Sequence, residues 1–244
     1  MLYRIQAVIF AALSIVGACQ VWGSDLQTQK NPLYPYQSSI FLQDEFASGT
    51  TASGSVGSLG WNLSGGTTTF IASPFSNRIG VLRRETGAVS GTLATLQLYQ
   101  GSSSFLFGTQ NQMHIFLTRL VTNDANTTAR MGVYNSVGAN PPTEGIYFEK
   151  LDADTNWFCV TRVGGVQTRT DSTVAVDTNF NQFGFVRNSS GVTWKINYTP
   201  VCGTHTTNIS TAGMNPGLQI VNSAAATKQI DIDYYQLIVT GLAR

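Results

Sequence analysis

Beyond residue 25, no stretch of this 244-residue chain sustains an apolar pattern at helical spacing. Apolar residues come instead in short runs rich in Val, Ile, Thr, Phe and Tyr, bounded by Gly, Asn, Asp and Ser. Such runs read as strands, because β-branched and aromatic side chains suit a pleated, half-buried surface and the bounding residues favour turns. The clearest lie in the second half. Residues 145–151 lead into the turn Asp152-Ala153-Asp154-Thr155, residues 156–163 follow, and Gly164-Gly165 signals a tight hairpin into 166–170. A second hairpin joins 182–187 to 192–198 through Asn188-Ser189-Ser190-Gly191. In its return strand Val192, Trp194, Ile196 and Tyr198 alternate with Thr193, Lys195 and Asn197, so the first four are expected on the buried face. In the last run Ile230, Ile232 and Tyr234 alternate with Asp231 and Asp233, and the pattern slips at Tyr235-Gln236, which predicts a bulge. Less distinct runs cover 40–46, 70–72, 80–84, 94–99, 113–120 and 129–134, with 47–59 as a long Gly/Ser/Thr-rich loop. About a dozen strands of this kind predict an all-β fold, a two-sheet antiparallel sandwich.

Composition narrows the function classes. Only 11% of residues are charged and the net charge is +1, which gives no electrostatic reason to expect nucleic acid or an anionic membrane as partner. Residues 1–24 are a separate, signal-like apolar segment. Arg4 is followed by a nearly unbroken apolar run over 5–18, too short for the roughly 20 residues of a spanning helix and right for a secretory signal. Two cleavage readings stand side by side: Val16-Gly17-Ala18-Cys19, a lipobox-like run that would lipidate Cys19, and Val21-Trp22-Gly23 before Ser24, an ordinary signal-peptidase site. Residues 25–38, with Pro32 and Pro35, read as an extended tether, leaving 39–244 as the sandwich. Export would leave Cys159 and Cys202, either as one disulfide or as two buried thiols.

Few residues suggest chemistry. A sugar site needs an aromatic platform with hydrogen-bonding neighbours, and Tyr134, Tyr147, Asn156 and Trp157, beside the loop 135–143, are the group expected to supply it. That expectation places Tyr147 and Trp157 on one face of their hairpin. Asp231 and Asp233 within reach of Asp44 form the candidate metal site; no cofactor is expected, unless calcium is held there. Asp152, Asp154 and Asn156 alternate like a calcium loop, but Trp157 and Val163 stand where its glycine and glutamate belong, so a turn is expected there. His114 and His205 have no metal-ligand partner at i+2 or i+4, and nothing singles out a nucleophile triad.

Taken together, Asp44-Glu45-Phe46, Leu59-Gly60-Trp61, Gly145-Ile146-Tyr147-Phe148-Glu149 and Asp231-Ile232-Asp233-Tyr234-Tyr235 resemble the concanavalin A-like lectin/glucanase (laminin-G-like) jelly rolls. The likeness covers roughly residues 40–244 and is similar to lectin-like proteins of phage virions and tail fibres. It implies two antiparallel sheets with the first strand lying beside the last, and frequent carbohydrate binding. The hydrolytic branch of that fold carries Glu-x-Asp-x-x-Glu on one strand. Here Glu144 and Glu149 keep the outer spacing, but Ile146 occupies the aspartate position. The expectation is therefore of no catalytic residues, with Glu144 in a loop and Glu149 paired with Arg162 or Arg169. The function expected is a structural or adhesion module on a virion or extracellular surface, self-associating and binding glycans. The alternative is an exported or lipid-anchored bacterial carbohydrate-binding protein, ahead of a glycoside hydrolase.

Overall fold

Alternating runs can bury one face each only by stacking into layers. The computed structural model does this, describing residues 27–30, 38–46, 49–50, 55–72, 80–98, 111–136, 138 and 140–242. The strands of the first half are β1 (Gln27–Lys30), β2 (Ser38–Asp44), β3 (Gly49–Thr50), β4 (Ser55–Val56), β5 (Trp61–Ser64), β6 (Thr67–Ile71), β7 (Val81–Glu85), β8 (Leu93–Leu98) and β9 (Asn111–Leu120). Those of the second are β10 (Thr127–Tyr134), β11 (Gly145–Lys150), β12 (Asn156–Val163), β13 (Val166–Ala175), β14 (Asn181–Asn188), β15 (Gly191–Ile196), β16 (Thr199–His205), β17 (Asn215–Asn222) and β18 (Gln229–Leu242). One antiparallel sheet runs β1-β2-β18-β9-β14-β15-β16, with β7 on β18 and β6 on β7; the other runs β13-β12-β11-β10-β17-β8-β5-β4-β3. The fold is an all-β sandwich.

β2 lies against β18, Asp44 opposite Tyr235 and Ile40 opposite Val239, so the first long strand does flank the last. The slip in β18 falls earlier than expected. The ladder to β9 is irregular between Ile232 and Tyr234, with Asp233 as the extra residue. The shift exchanges the faces: Ile230 and Ile232 are core before it, Tyr235, Leu237 and Val239 after it, and Tyr234 is only half-buried. β15 also stops short. Val192, Trp194 and Ile196 are buried, but Tyr198 is 76% exposed in a two-residue turn with Asn197, both at positive φ (67° and 49°).

Two strands went unread, β16 and the central β17, as did the short β3, β4 and β5. Gln27–Lys30 of the expected tether adds an edge strand to β2. The signal-like segment 1–24, with Cys19, lies outside the described residues.

Aromatic side chains tie the layers together. Phe46, Trp61, Tyr235 and Phe116 form one chain of rings, successive centroids 5.3, 5.1 and 4.9 Å apart. Phe148 meets both Phe183 and Trp194 at 5.1 Å, and Trp157 meets Phe183 at 4.9 Å. Edge-on and tilted contacts at these spacings are the favoured geometry for aromatic pairs.

Candidate functional site

The outer face of the second sheet holds Tyr134, Tyr147 and Glu149. Side chains on one face of a strand share parity, and the register lines them up across strands. Glu149 on β11 stands opposite Arg130 on β10, which stands opposite Gln219 on β17. Tyr147 is opposite Gly132 on one side and Val160 on the other. A Cβ on Gly132 would lie 2.2 Å from the Ile146 carbonyl oxygen and 2.5 Å from the Tyr147 Cα, so only glycine lets β11 approach this closely.

Register separates the four aromatic and amide residues expected to form a sugar platform. Tyr134 and Tyr147 do come together, ring centroids 5.3 Å apart, but both are fully buried with Val160 in a small outer cluster. Burial pushes both phenols above their ordinary range. Trp157 has the opposite parity, since Val160 rather than Trp157 faces with Tyr147; it lies in the main core at 1% exposure. The same-face expectation for Tyr147 and Trp157 is thus corrected. Asn156, half-buried, donates to both oxygens of Asp171 at 3.1 Å.

Glu149 is 1% exposed. One oxygen accepts from Arg130 Nε at 2.7 Å and the other from Arg169 Nε at 2.9 Å. Arg130 also donates to Asn140 and Gln219, Arg169 to Asp154, and the Arg169 guanidinium lies 3.4 Å from the Phe158 ring centroid. Of the two partners expected for Glu149, Arg169 is present, while Arg162 pairs instead with Gln167. Glu144 precedes β11 and accepts from Gly164 N–H at 3.0 Å, a loop contact. Ile146 points into the core.

The candidate metal ligands are not brought together. Asp44 accepts from the backbone N–H groups of Phe46 (3.0 Å) and Leu59 (2.8 Å) and from Trp61 Nε1 (3.1 Å). Asp231 is clamped by Arg83 at 2.8 Å and Arg119 at 2.7 Å, while Asp233 sits buried at the bulge. Among the described residues no group of three or more His, Cys, Asp or Glu is placed to hold a metal ion. The stretch 152–155 is a turn, with Asp154 N–H donating to the Leu151 carbonyl at 3.1 Å. Beside it the Lys150 ammonium donates to the carbonyls of Asp124 and Thr127 at 2.8 Å and Leu151 at 3.2 Å, and burial lowers its pKa. His114 is fully buried, its Nδ1 2.9 Å from the Tyr235 hydroxyl, and burial lowers its pKa to about 3.

A site that the sequence did not announce lies where the two sheets meet at one edge. Cys159 of β12 and Cys202 of β16 are joined as a disulfide, Cα atoms 6.3 Å apart, which decides between the two readings of these cysteines. His205, at the end of β16, bridges Thr161 Oγ1 (3.2 Å) and Thr170 Oγ1 (3.0 Å) of the other sheet. Beside this seam is an open cavity of about 470 Å³ between β13 and β16. Two irregularities make room for it. Thr193 faces Thr204 but Trp194 faces Val201, leaving Cys202 and Gly203 as extra residues at φ 60° and 66°. On the opposite wall Thr173 has φ 60°.

No family model matches the sequence, and no curated protein matches it. Solved structures do match by shape. A protein of unknown function from Shewanella oneidensis MR-1 is similar over 95% of this chain and 96% of its own, with TM-score 0.63 and 12% identity. The carbohydrate recognition domain of Emp47p is similar over 81% of this chain and 93% of its own (TM-score 0.55, 10% identity). The Bacillus licheniformis β-glucanase is similar over 81% and 97% (TM-score 0.54, 12% identity). At such identities the likeness is one of fold: this chain has the concanavalin A-like jelly roll that a lectin domain and a glucanase share.

Proposed function

We propose that this chain is a non-catalytic surface module that binds carbohydrate, displayed on a virion or in an extracellular assembly. The observation that carries the non-catalytic part is the state of Glu149. Retaining glycoside hydrolysis needs two carboxyl groups roughly 5–5.5 Å apart, one to protonate the leaving group and one to attack. Both oxygens of Glu149 are engaged by guanidinium groups, and the aspartate position of the hydrolytic motif is Ile146, turned into the core. Carbohydrate binding is supported by the shared fold and by a low-charge chain rich in hydroxyls and amides, in which Thr, Ser and Asn account for 66 of 244 residues. β1, at the far end of the first sheet, is an edge strand that offers self-association by strand addition.

The test is a glycan microarray with the purified full chain, beside a reducing-end assay on β-glucans. Retention on glycans with no new reducing ends is the expected result. Turnover that disappears in Glu149→Gln would make the chain a hydrolase. Mass spectrometry of native particles then reads the place of display. The bacterial alternative rests on Val16-Gly17-Ala18-Cys19, and a diacylglyceryl mass on Cys19 would favour it.

A further inference from the structure

We propose that the seam cavity between β13 and β16 holds one neutral, pyranose-sized sugar unit, captured end-on at the edge of the sandwich. This rests on the carbohydrate reading above and gives it a place. At about 470 Å³ the cavity falls within the roughly 300–1,000 Å³ of ordinary small-molecule sites. Its lining has the two chemistries that a pyranose presents. Val174, Pro200 and Val201 give apolar surface for the C–H face of a ring. Thr193, Thr199, Thr204 and Ser172 give hydroxyls, and Asp171 gives a carboxylate able to accept from sugar hydroxyls.

The absence of Lys or Arg from that lining disfavours an anion, because nothing there would offset its desolvation. Strand addition by a peptide is also disfavoured. Thr173 N–H is already taken by Asp171 Oδ1 (2.7 Å) and Val174 N–H by Ser172 Oγ (3.1 Å), so this wall has two fewer donors for an incoming backbone. Trp194, 1% exposed, has an indole N–H with no acceptor among the described residues, and a buried unmade hydrogen bond of this kind is costly unless something supplies the acceptor. The walls are held in place beforehand. The Cys159–Cys202 bond and the His205 bridge pin β16 to the opposite sheet beside the cavity, so little ordering remains when a ligand enters.

The experiment uses the full chain and a panel of methyl pyranosides (glucoside, galactoside, mannoside and N-acetylglucosaminide). Binding is read by saturation-transfer NMR and by tryptophan fluorescence, in parallel with the microarray. Two variants fill the cavity from exposed positions, Thr204→Trp and Thr199→Trp, and near-UV circular dichroism checks that each is folded. The expected result is binding of at least one pyranoside, weakened about tenfold or more by either folded variant, since a filled cavity leaves no room for a ring. Asp171→Asn is expected to weaken it less. Pyranoside or glycan binding that both filled variants leave unchanged would overturn this placement while sparing the carbohydrate reading. A wild-type chain that binds no saccharide on array or in solution would overturn both.

Discussion

The inner and outer faces of β10 and β11 are both buried, yet they are built from different matter. Inside are Met131, Val133, Ile146 and Phe148, with Trp157 and Cys159 from β12; outside are Arg130, Tyr134, Tyr147 and Glu149. The sequence alternates between these two sets as a half-exposed sheet would, and in the tertiary structure the alternation sorts side chains between two kinds of burial. An apolar face gains by leaving water at about 25 cal/mol per Å². A polar face must pair its groups, and Arg130 and Glu149 do so through four hydrogen bonds, one to each other and the rest to Asn140, Gln219 and Arg169. The two faces should therefore fail differently.

Removing a ring from the inner face should cost most. Trp157→Ala deletes a buried indole packed on Phe183 and is expected to destabilise by about 5 kcal/mol, read from urea unfolding. The outer face offers a sharper contrast. Glu149→Ala strands a buried guanidinium and should cost about 4 kcal/mol, whereas the double change Arg130→Met with Glu149→Met should recover much of that loss. A double variant no more stable than Glu149→Ala would mean that the outer face is not a self-contained pair. Third comes the seam. Cys159→Ala with Cys202→Ala opens a loop of sequence separation 43, and a loss of about 3 kcal/mol is expected.

The smallest effect is a pH slope. His114 has a folded pKa of about 3, below its ordinary 6.5, so between these values the unfolded chain binds the extra proton. Its contribution is complete above pH 6.5 and is lost as pH falls toward 3, by up to about 1.4 kcal/mol per pH unit. His114→Phe should remove that increment from a plot of unfolding midpoint against pH between 6.5 and 5; an unchanged slope would refute the assignment.

Much of the second half was legible because its signals are local. Gly164 and Gly165 both take positive φ (57° and 84°) in the turn from β12 to β13, as a tight hairpin requires. β17 was not legible, because Asn215, Pro216 and Gly217 punctuate its start. Pro216 is tolerated opposite Val133 because the ladder to β8 begins only at Gly217. β16 hid for a similar reason, broken by Pro200 and by the extra residues Cys202 and Gly203. The same-face expectation for Tyr147 and Trp157 lacked one piece of information, the register of β11 against β12, since a one-residue slip moves every side chain to the other face.

Periodicity and turn residues, properties of neighbours a few positions apart, were enough to determine that this chain is an all-β antiparallel sandwich. That its last strand lies beside an early one was implied only by the resemblance to lectin/glucanase jelly rolls, and the pairing of β2 with β18 bears it out. Only the tertiary structure decided which rings share a core, that Glu149 is held by two arginines, and that a cavity opens beside a disulfide. Those outcomes depend on bulges at Asp233 and Cys202 and on pairs such as Arg83 with Asp231, 148 residues apart. Contacts over such separations form only when whole strands find their register, and local pattern carries no record of it.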